Sequence, residues 1–422
     1  MIILEMRKMP SKETKRFPTQ EIGSIAKPSW RVKGVSDEAK ITAKEIEEAQ
    51  RWGDRLAIPN FDELVKILKN RAKSSEPPTQ EEKDAIRNWS VRYVLSLFEN
   101  ADLDRVYSGE QWRVEMYEHL VRNIEGFKLL GSVHSFDYKY YTKGAVIAPP
   151  KYVHPIHLDE FEFVKNETKR EIKLPLTGPY TVVDWSFNEF YESQIRAKQS
   201  KSRIDLRKTY FEARRNFILA LVREALRPEV ANLIKHGVRW IQIDEPAITT
   251  RPDAEEMELF VDATNELTRG FSNCVFSLHN CYSDYKLLAH YAPMLKDVTQ
   301  LALEFANRDG TDLGVSLEKR RGYIDLKYFE DDGYEGGFGL GVTHVHDFSG
   351  EPGNGARLEG RNIIETPKLV RDRILIAAKL LKDPSRISVN PDCGLRTRSW
   401  DITYEKLKVI EEGTKLARAQ VK

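Results

Sequence analysis

The chain carries almost no net charge: 66 basic against 65 acidic side chains leave +1 over 422 residues. That balance excludes an overall field able to gather nucleic acid or an anionic membrane. Long apolar runs are missing as well. Nothing approaches the roughly 18 consecutive apolar residues of a spanning helix. The opening MIILEMRKMPSKETKR has too short an apolar stretch for a secretory signal, so the expected compartment is the cytosol. Cysteine is scarce. Cys274, Cys281 and Cys393 leave one thiol unpaired in any scheme and exclude a disulfide framework. There is no glycine-rich dinucleotide fingerprint, no low-complexity tract and no Pro- or Ser-rich linker, which points to one elaborated domain.

What the sequence does hold is a repeated alternation. Residues 1–15 are charged and aperiodic and read as a flexible segment, leaving 16–422 as the folded unit. EIGSIAKP, residues 21–28, reads as a short strand ending in a Gly-Ser turn. Helical periodicity covers 41–57, 62–73 and 79–99, the last opening with Thr79 and Glu82 at capping-box spacing. Residues 104–110 read as a strand delivering Gly109 and Glu110, with a helix directly after. The stretch 130–172 has no sustained period and reads as irregular strands and loops, an insertion near 137–170; a second lies near 349–366. A helix is expected over 205–235. Apolar runs at GVRWIQIDEP, CVFSLHNC, TQLALEFAN, GFGLGVTHVHD and RISVNPDCG then alternate with helices at 253–269, 283–295, 366–382 and 401–418. Buried strands alternating with helices predict an α/β fold, a single (β/α)₈ TIM barrel with N-terminal helical additions.

Polar residues fall at the C-terminal ends of those strands, where barrel sites gather. His279, Cys281, Glu304 and Cys393 suit one zinc ion: thiolates supply affinity, and the mixed N, S and O set leaves an exchangeable position. His279 and Cys281 stand at i and i+2, so a strand presents both on one face. Taken singly, each residue reads as structural, since buried cysteine is usually a small hydrophobe. Convergence at one barrel face, with the Asn390-Pro391-Asp392-Cys393-Gly394 turn presenting a thiol, favours the metal. Cys274 has no such company and reads as core.

An ordered set of short motifs carries a family resemblance. Ile22-Gly23-Ser24, Gly109-Glu110, Leu176-Thr177-Gly178-Pro179 with Trp185-Ser186-Phe187, Asp244-Glu245-Pro246, His279-x-Cys281-Tyr282, Glu304, Gly341-Val342 with His346, and Asn390-Pro391-Asp392-Cys393-Gly394 follow one another as in the catalytic half of cobalamin-independent methionine synthase. The chain thus resembles a short, core member of that family, within the uroporphyrinogen decarboxylase and methionine synthase superfamily of barrels. The resemblance implies zinc-dependent methyl transfer to the thiol of L-homocysteine. It assigns zinc to His279, Cys281, Glu304 and Cys393, the substrate ammonium to Glu110 and Asp244, the substrate carboxylate to Ile22, Gly23 and Ser24, and proton donation to His346. His344 stands where the family usually carries an aspartate.

The donor side of the resemblance departs from the family. Its match begins near residue 20, which implies a form without the N-terminal barrel of the folate-using enzymes. Thr250 replaces an acidic folate contact, and no Arg-Cys folate contact is found near Lys143-Gly144-Ala145. Trp185 is retained and offers a stacking face. The expected donor is therefore not a folate, a methylcorrinoid protein being the leading partner. Three alternatives stay open: a methyltetrahydrofolate-dependent synthase, a zinc-dependent alkyltransferase acting on another thiol such as coenzyme M, and a zinc-dependent binding or regulatory subunit.

Overall fold

The computed structural model describes residues 15–134, 140–198, 206–250, 253–281 and 284–421. The flexible segment expected over residues 1–15 falls almost entirely outside them. In chain order the strands are β1 (Arg105–Val106), β2 (Ile124–His134), β3 (Tyr140–Tyr152), β4 (Glu171–Ile172), β5 (Leu174–Thr177), β6 (Trp240–Asp244), β7 (Val275–Asn280), β8 (Val298–Leu303), β9 (Gly337–Thr343), β10 (Ala356–Glu359), β11 (Asn362–Glu365) and β12 (Ile387–Pro391).

Six of these form one parallel sheet, in the order β12-β9-β8-β7-β6-β5. Its two edges are joined through the N-terminal segment. Gln20 donates its N–H to Val389 O at 2.8 Å, and Arg105 donates to Thr19 O at 3.0 Å. β1 then pairs in parallel with β4, which is separated from β5 by Lys173 alone. The circuit closes as an eight-position barrel, its first position the Thr19–Gln20 bridge segment and its third shared between β4 and β5.

Strand alternation sends Ile241, Ile243, Phe276, Leu278, Leu301, Phe338 and Leu340 to the buried outer face beneath the helices. The opposite, inward row is polar. Gln20 Nε2 donates to Gln300 Oε1 (3.1 Å) and Asn390 Oδ1 (3.0 Å), Gln300 Nε2 and Arg105 both donate to Ser388 Oγ at 3.0 Å, and the Arg105 guanidinium lies over Trp240. Higher up, Lys173 donates to Gln242 Oε1, while Gln242 Nε2 donates to Ile22 O (2.5 Å) and Asp244 Oδ1 (2.7 Å). Barrel interiors are usually layers of Val, Ile and Leu. Here mutual hydrogen bonding meets the requirement that buried polar groups be partnered.

The N-terminal additions are the helices Ala43–Arg55, Asp62–Lys73 and Gln80–Asn100, two of them opened by reciprocal capping boxes at Thr42/Glu45 and Thr79/Glu82. The first and third of them meet the C-terminal helix Trp400–Arg418, the Trp52 and Tyr93 rings lying 5.3 and 6.5 Å from that of Trp400, edge to face.

Several local expectations change. The 104–110 strand shrinks to Arg105–Val106, because Gly109 (φ 57°) and Glu110 (φ 58°) both turn left-handed and delay the helix to Met116. The first part of the region expected to be irregular belongs to a long antiparallel hairpin, β2 with β3, and the helix Leu158–Glu167 follows it. Much of both strands is exposed, so no period-2 apolar signal marks them. The helix expected over 205–235 is broken by a π turn at Val222–Leu226, just ahead of Pro228, which lacks the N–H an α-helix requires. The expected 283–295 helix shortens to Lys286–Tyr291 with a 3₁₀ turn after it. The segment near 349–366 contains the hairpin of β10 and β11.

Candidate metal centre and amino-acid pocket

β7 ends in His279-Asn280, and Cys281 follows; β12 ends at Pro391, two residues before Cys393. The ligand atoms of His279, Cys281 and Cys393 lie within 4.8 Å of one another. His279 Nδ1 stands 3.0 Å from Ala302 O, an arrangement that makes Nδ1–H the donor and leaves Nε2 with its lone pair. Nε2 is buried without a hydrogen-bond partner of ordinary geometry. The Cys281 thiol and His279 hold Cys393 well below its ordinary pKa despite burial. Cys281 is correspondingly pushed up by its bond to Cys393 and by burial. A buried imidazole facing two cysteine sulfurs is a donor set that a soft divalent ion such as zinc fits.

Glu304 follows β8 and lies outside that 4.8 Å set. Its N–H donates to the Tyr285 hydroxyl at 2.8 Å, and its Oε2 stands 3.3 Å from His346 Nε2. His346 is raised above its usual value because that hydrogen bond and the Cys393 charge outweigh burial. His344, by contrast, is pushed down to about 4 by burial. A neutral His344 cannot stand in for the charge of an aspartate.

The residues expected to hold an amino acid line the neighbouring strand ends. Asp244 is the register partner of His279. Burial and Glu110 push its carboxyl up to about 7, against His279, Gln242 and Lys173. Gly23 lies beside Glu110, since a methyl group on it would come 3.8 Å from Oε1. Ser24 abuts Gly394, so this segment and the thiol turn are in contact. Ile22 is fixed through its carbonyl by Gln242. Trp185 meets the hairpin, stacked on Tyr141 at 5.2 Å and tilted against Tyr117 at 5.9 Å. The Thr250 side chain lies outside the described ones.

Three further groups have roles that the sequence reading did not assign. Asp392 accepts three backbone N–H groups from the turn after Glu304. Glu245 accepts Tyr180 N–H, Thr181 N–H and the Thr181 hydroxyl at 2.6–2.9 Å. Glu21 is buried among the pocket carboxylates with neither oxygen hydrogen-bonded. The first two sit inside the Asn-Pro-Asp-Cys-Gly and Asp-Glu-Pro motifs, a signal available in the sequence; Glu21 had none. Among the described residues no helix is long and apolar enough to cross a membrane.

The family described as "Cobalamin-independent synthase, Catalytic domain" matches residues 59–415. The chain is similar to a methionine synthase of Thermoplasma volcanium, 41% identical over 75% of this chain and 84% of the relative. It is 36% identical to that of Thermoplasma acidophilum, over 92% and 95%, and 34% identical to that of Pyrococcus horikoshii, over 96% and 94%. Its fold matches a B12-independent methionine synthase from Shewanella sp. W3-18-1 in complex with selenomethionine, with TM-score 0.65, 19% identity and coverage of 96% and 99%.

Proposed function

This chain belongs to the cobalamin-independent methionine synthase family, and from that premise we propose that it transfers a methyl group to the thiol of L-homocysteine from a non-folate donor such as a methylcorrinoid protein. It is a methyltransferase of methionine synthesis. The observation that carries the finer reading is the contact between two sites: three convergent metal-type donors and, against them, the segment of Gly23 and Ser24 with the carboxylates Glu110 and Asp244.

His279, Cys281 and Cys393 would hold zinc, with Glu304 at the end of the adjacent β8 as the ligand able to approach or withdraw. Bound there, the ion would supply the Lewis acidity that keeps a thiol ionised at neutral pH. Glu110 and Asp244 orient the substrate ammonium, and the backbone N–H groups from Ile22 to Ser24 with the Ser24 hydroxyl receive its carboxylate. The Shewanella structure's selenomethionine is an amino acid of the kind such a pocket takes. In the transfer the sulfur forms a bond to the methyl carbon as the donor–methyl bond breaks, and its electron pair leaves with the donor. A corrinoid leaving group needs no proton. His346, paired with Glu304, then serves to accept the thiol proton rather than to protonate a departing nitrogen.

Glu110 and Asp244 weigh against a coenzyme M-type substrate, whose sulfonate thiol has no ammonium for them to pair with. Purified protein incubated with zinc, homocysteine and either methylcobalamin or methyltetrahydrofolate tests the proposal. Methionine is expected with methylcobalamin; turnover with the folate alone would overturn the donor assignment.

A further inference from the structure

Glu21 immediately precedes the Ile22-Gly23-Ser24 segment and is 1% exposed. Neither of its carboxylate oxygens has a hydrogen-bond partner. Its nearest cation, Lys173 Nζ between β4 and β5, is 4.0 Å from Oε1 and is already bonded to Gln242. The other charged groups facing it are Asp244 at the end of β6, and Glu110 and Arg113 from the segment after β1. Arg113 is itself engaged: its guanidinium contacts Glu160 at 3.0 Å, Pro175 O at 2.8 Å and Glu110 at 3.8 Å. Glu21 thus faces two carboxylates, Asp244 and Glu110, and two cations, Lys173 and Arg113, that are both engaged elsewhere. A buried carboxylate ion without hydrogen bonds is expensive, and the neutral acid is the favoured form when anions crowd it. Burial accordingly pushes Glu21 up to about 7, with Asp244 and Glu110 adding to the rise and Lys173 and Arg113 opposing it.

We propose that Glu21 is the proton store of the amino-acid pocket: it carries a proton while the pocket is empty and releases it to solvent when a ligand ammonium settles between Glu110 and Asp244. The inference rests on the pocket reading given under Proposed function. Glu21 acts through the charge of its neighbours and is a positioning residue, not a catalytic one. Its ligand class is α-amino acids with a free ammonium. No bond other than O–H breaks, and the proton passes to the buffer.

L-Methionine is the suitable probe, because it has no thiol proton to confuse the count. Titration calorimetry at pH 7 in phosphate and in Tris reads the protons exchanged from the buffer dependence of the heat. An opposite charge within reach lowers a carboxyl pKa by about 1–3 units. Glu21 and Asp244, both raised to about 7, each hold about half a proton at pH 7, so release of about one proton per methionine is expected, about half of it from Glu21. E21Q should bind methionine with that release cut to about half, the remainder coming from Asp244, and E21D should retain it in full. Infrared difference spectra of the wild type should show a protonated-carboxyl band disappearing on binding, a measurement that stands if E21Q fails to fold. Equal release in wild type and E21Q, or no loss of the band, overturns the inference alone. Failure of the wild type to bind methionine overturns the pocket reading itself, and this inference with it.

Discussion

The carboxylate of Asp392 accepts the backbone N–H of Ala306 at 2.9 Å, flanked by those of Phe305 (2.9 Å) and Asn307 (2.5 Å). One end of this clamp precedes Cys393 and the other follows Glu304, so a single side chain fixes the spacing of a thiol and a carboxylate at the candidate metal centre. Its own N–H donates to Thr343 O, tying the same turn to the end of β9. D392N offers one acceptor oxygen and sets an amide against N–H donors. It should weaken zinc binding by about 10–100-fold, as loss of outer-shell partners typically does. Competition with a chromogenic chelator reads the affinity; an unchanged value would show that the clamp does not govern the site.

Gly178 opens the helix Pro179–Trp185, and a methyl group there would fall 2.2 Å from Glu245 Cδ. That glutamate is the buried acceptor for the first N–H groups of the helix. G178A is expected to cost about 1–3 kcal/mol through overpacking, read as a lower denaturant midpoint. A stability equal to wild type would mean that Glu245 can move aside.

Beneath β9, the side chains of Lys406, Glu365, Arg373, Asp309 and Arg320 form a chain of ion pairs at 2.7–3.3 Å, all of them at most 1% exposed. It joins the helices Pro367–Leu380 and Trp400–Arg418 to the loop after β8 and to the end of β11. Removing one partner strands a buried charge, so E365Q should destabilise the protein by about 3–5 kcal/mol. Urea unfolding at pH 7 checks this, with the surface pair mutant D401N, near neutral, as control.

His344 gives stability a pH dependence. Its folded pKa of about 4 lies below the ordinary 6.5, because burial penalises the imidazolium. Between those values the unfolded chain binds the extra proton. Its contribution is therefore complete above about pH 6.5 and is lost as pH falls toward 4, about 3 kcal/mol in all. H344Q should flatten the decline of stability over that window, measured by denaturant unfolding at half-unit pH steps. A decline as steep as the wild type's would place the titrating group elsewhere.

The barrel was legible because its outward rows, such as Ile241 with Ile243 and Leu301 with Leu303, stay apolar between helical stretches, and because the chemistry-bearing residues cluster at the following turns. Thr79 and Glu82 marked the start of their periodic helix through capping-box spacing. The hairpin was hidden: its strands face water on much of both sides, so hydrophobic period carries no information there. Short bridging elements such as Thr19–Gln20 and Arg105–Val106 are set by closure of the barrel, a long-range condition no local window contains. In the candidate site, His279, Cys281 and Cys393 were readable as a set, whereas the separation of Glu304 from them depends on where β8 stops. Glu21 had neither motif nor period; only its burial beside Asp244 and Lys173 gives it meaning.

The interior of amides, hydroxyls and cations has a consequence for how this sequence can change. Aliphatic layers tolerate exchange among residues of similar volume. Gln20, Gln300, Asn390, Ser388 and Arg105 each need a donor matched to an acceptor, so a lone replacement orphans its neighbour. Substitutions along this row are bound to be epistatic, viable in compensating pairs and damaging one at a time.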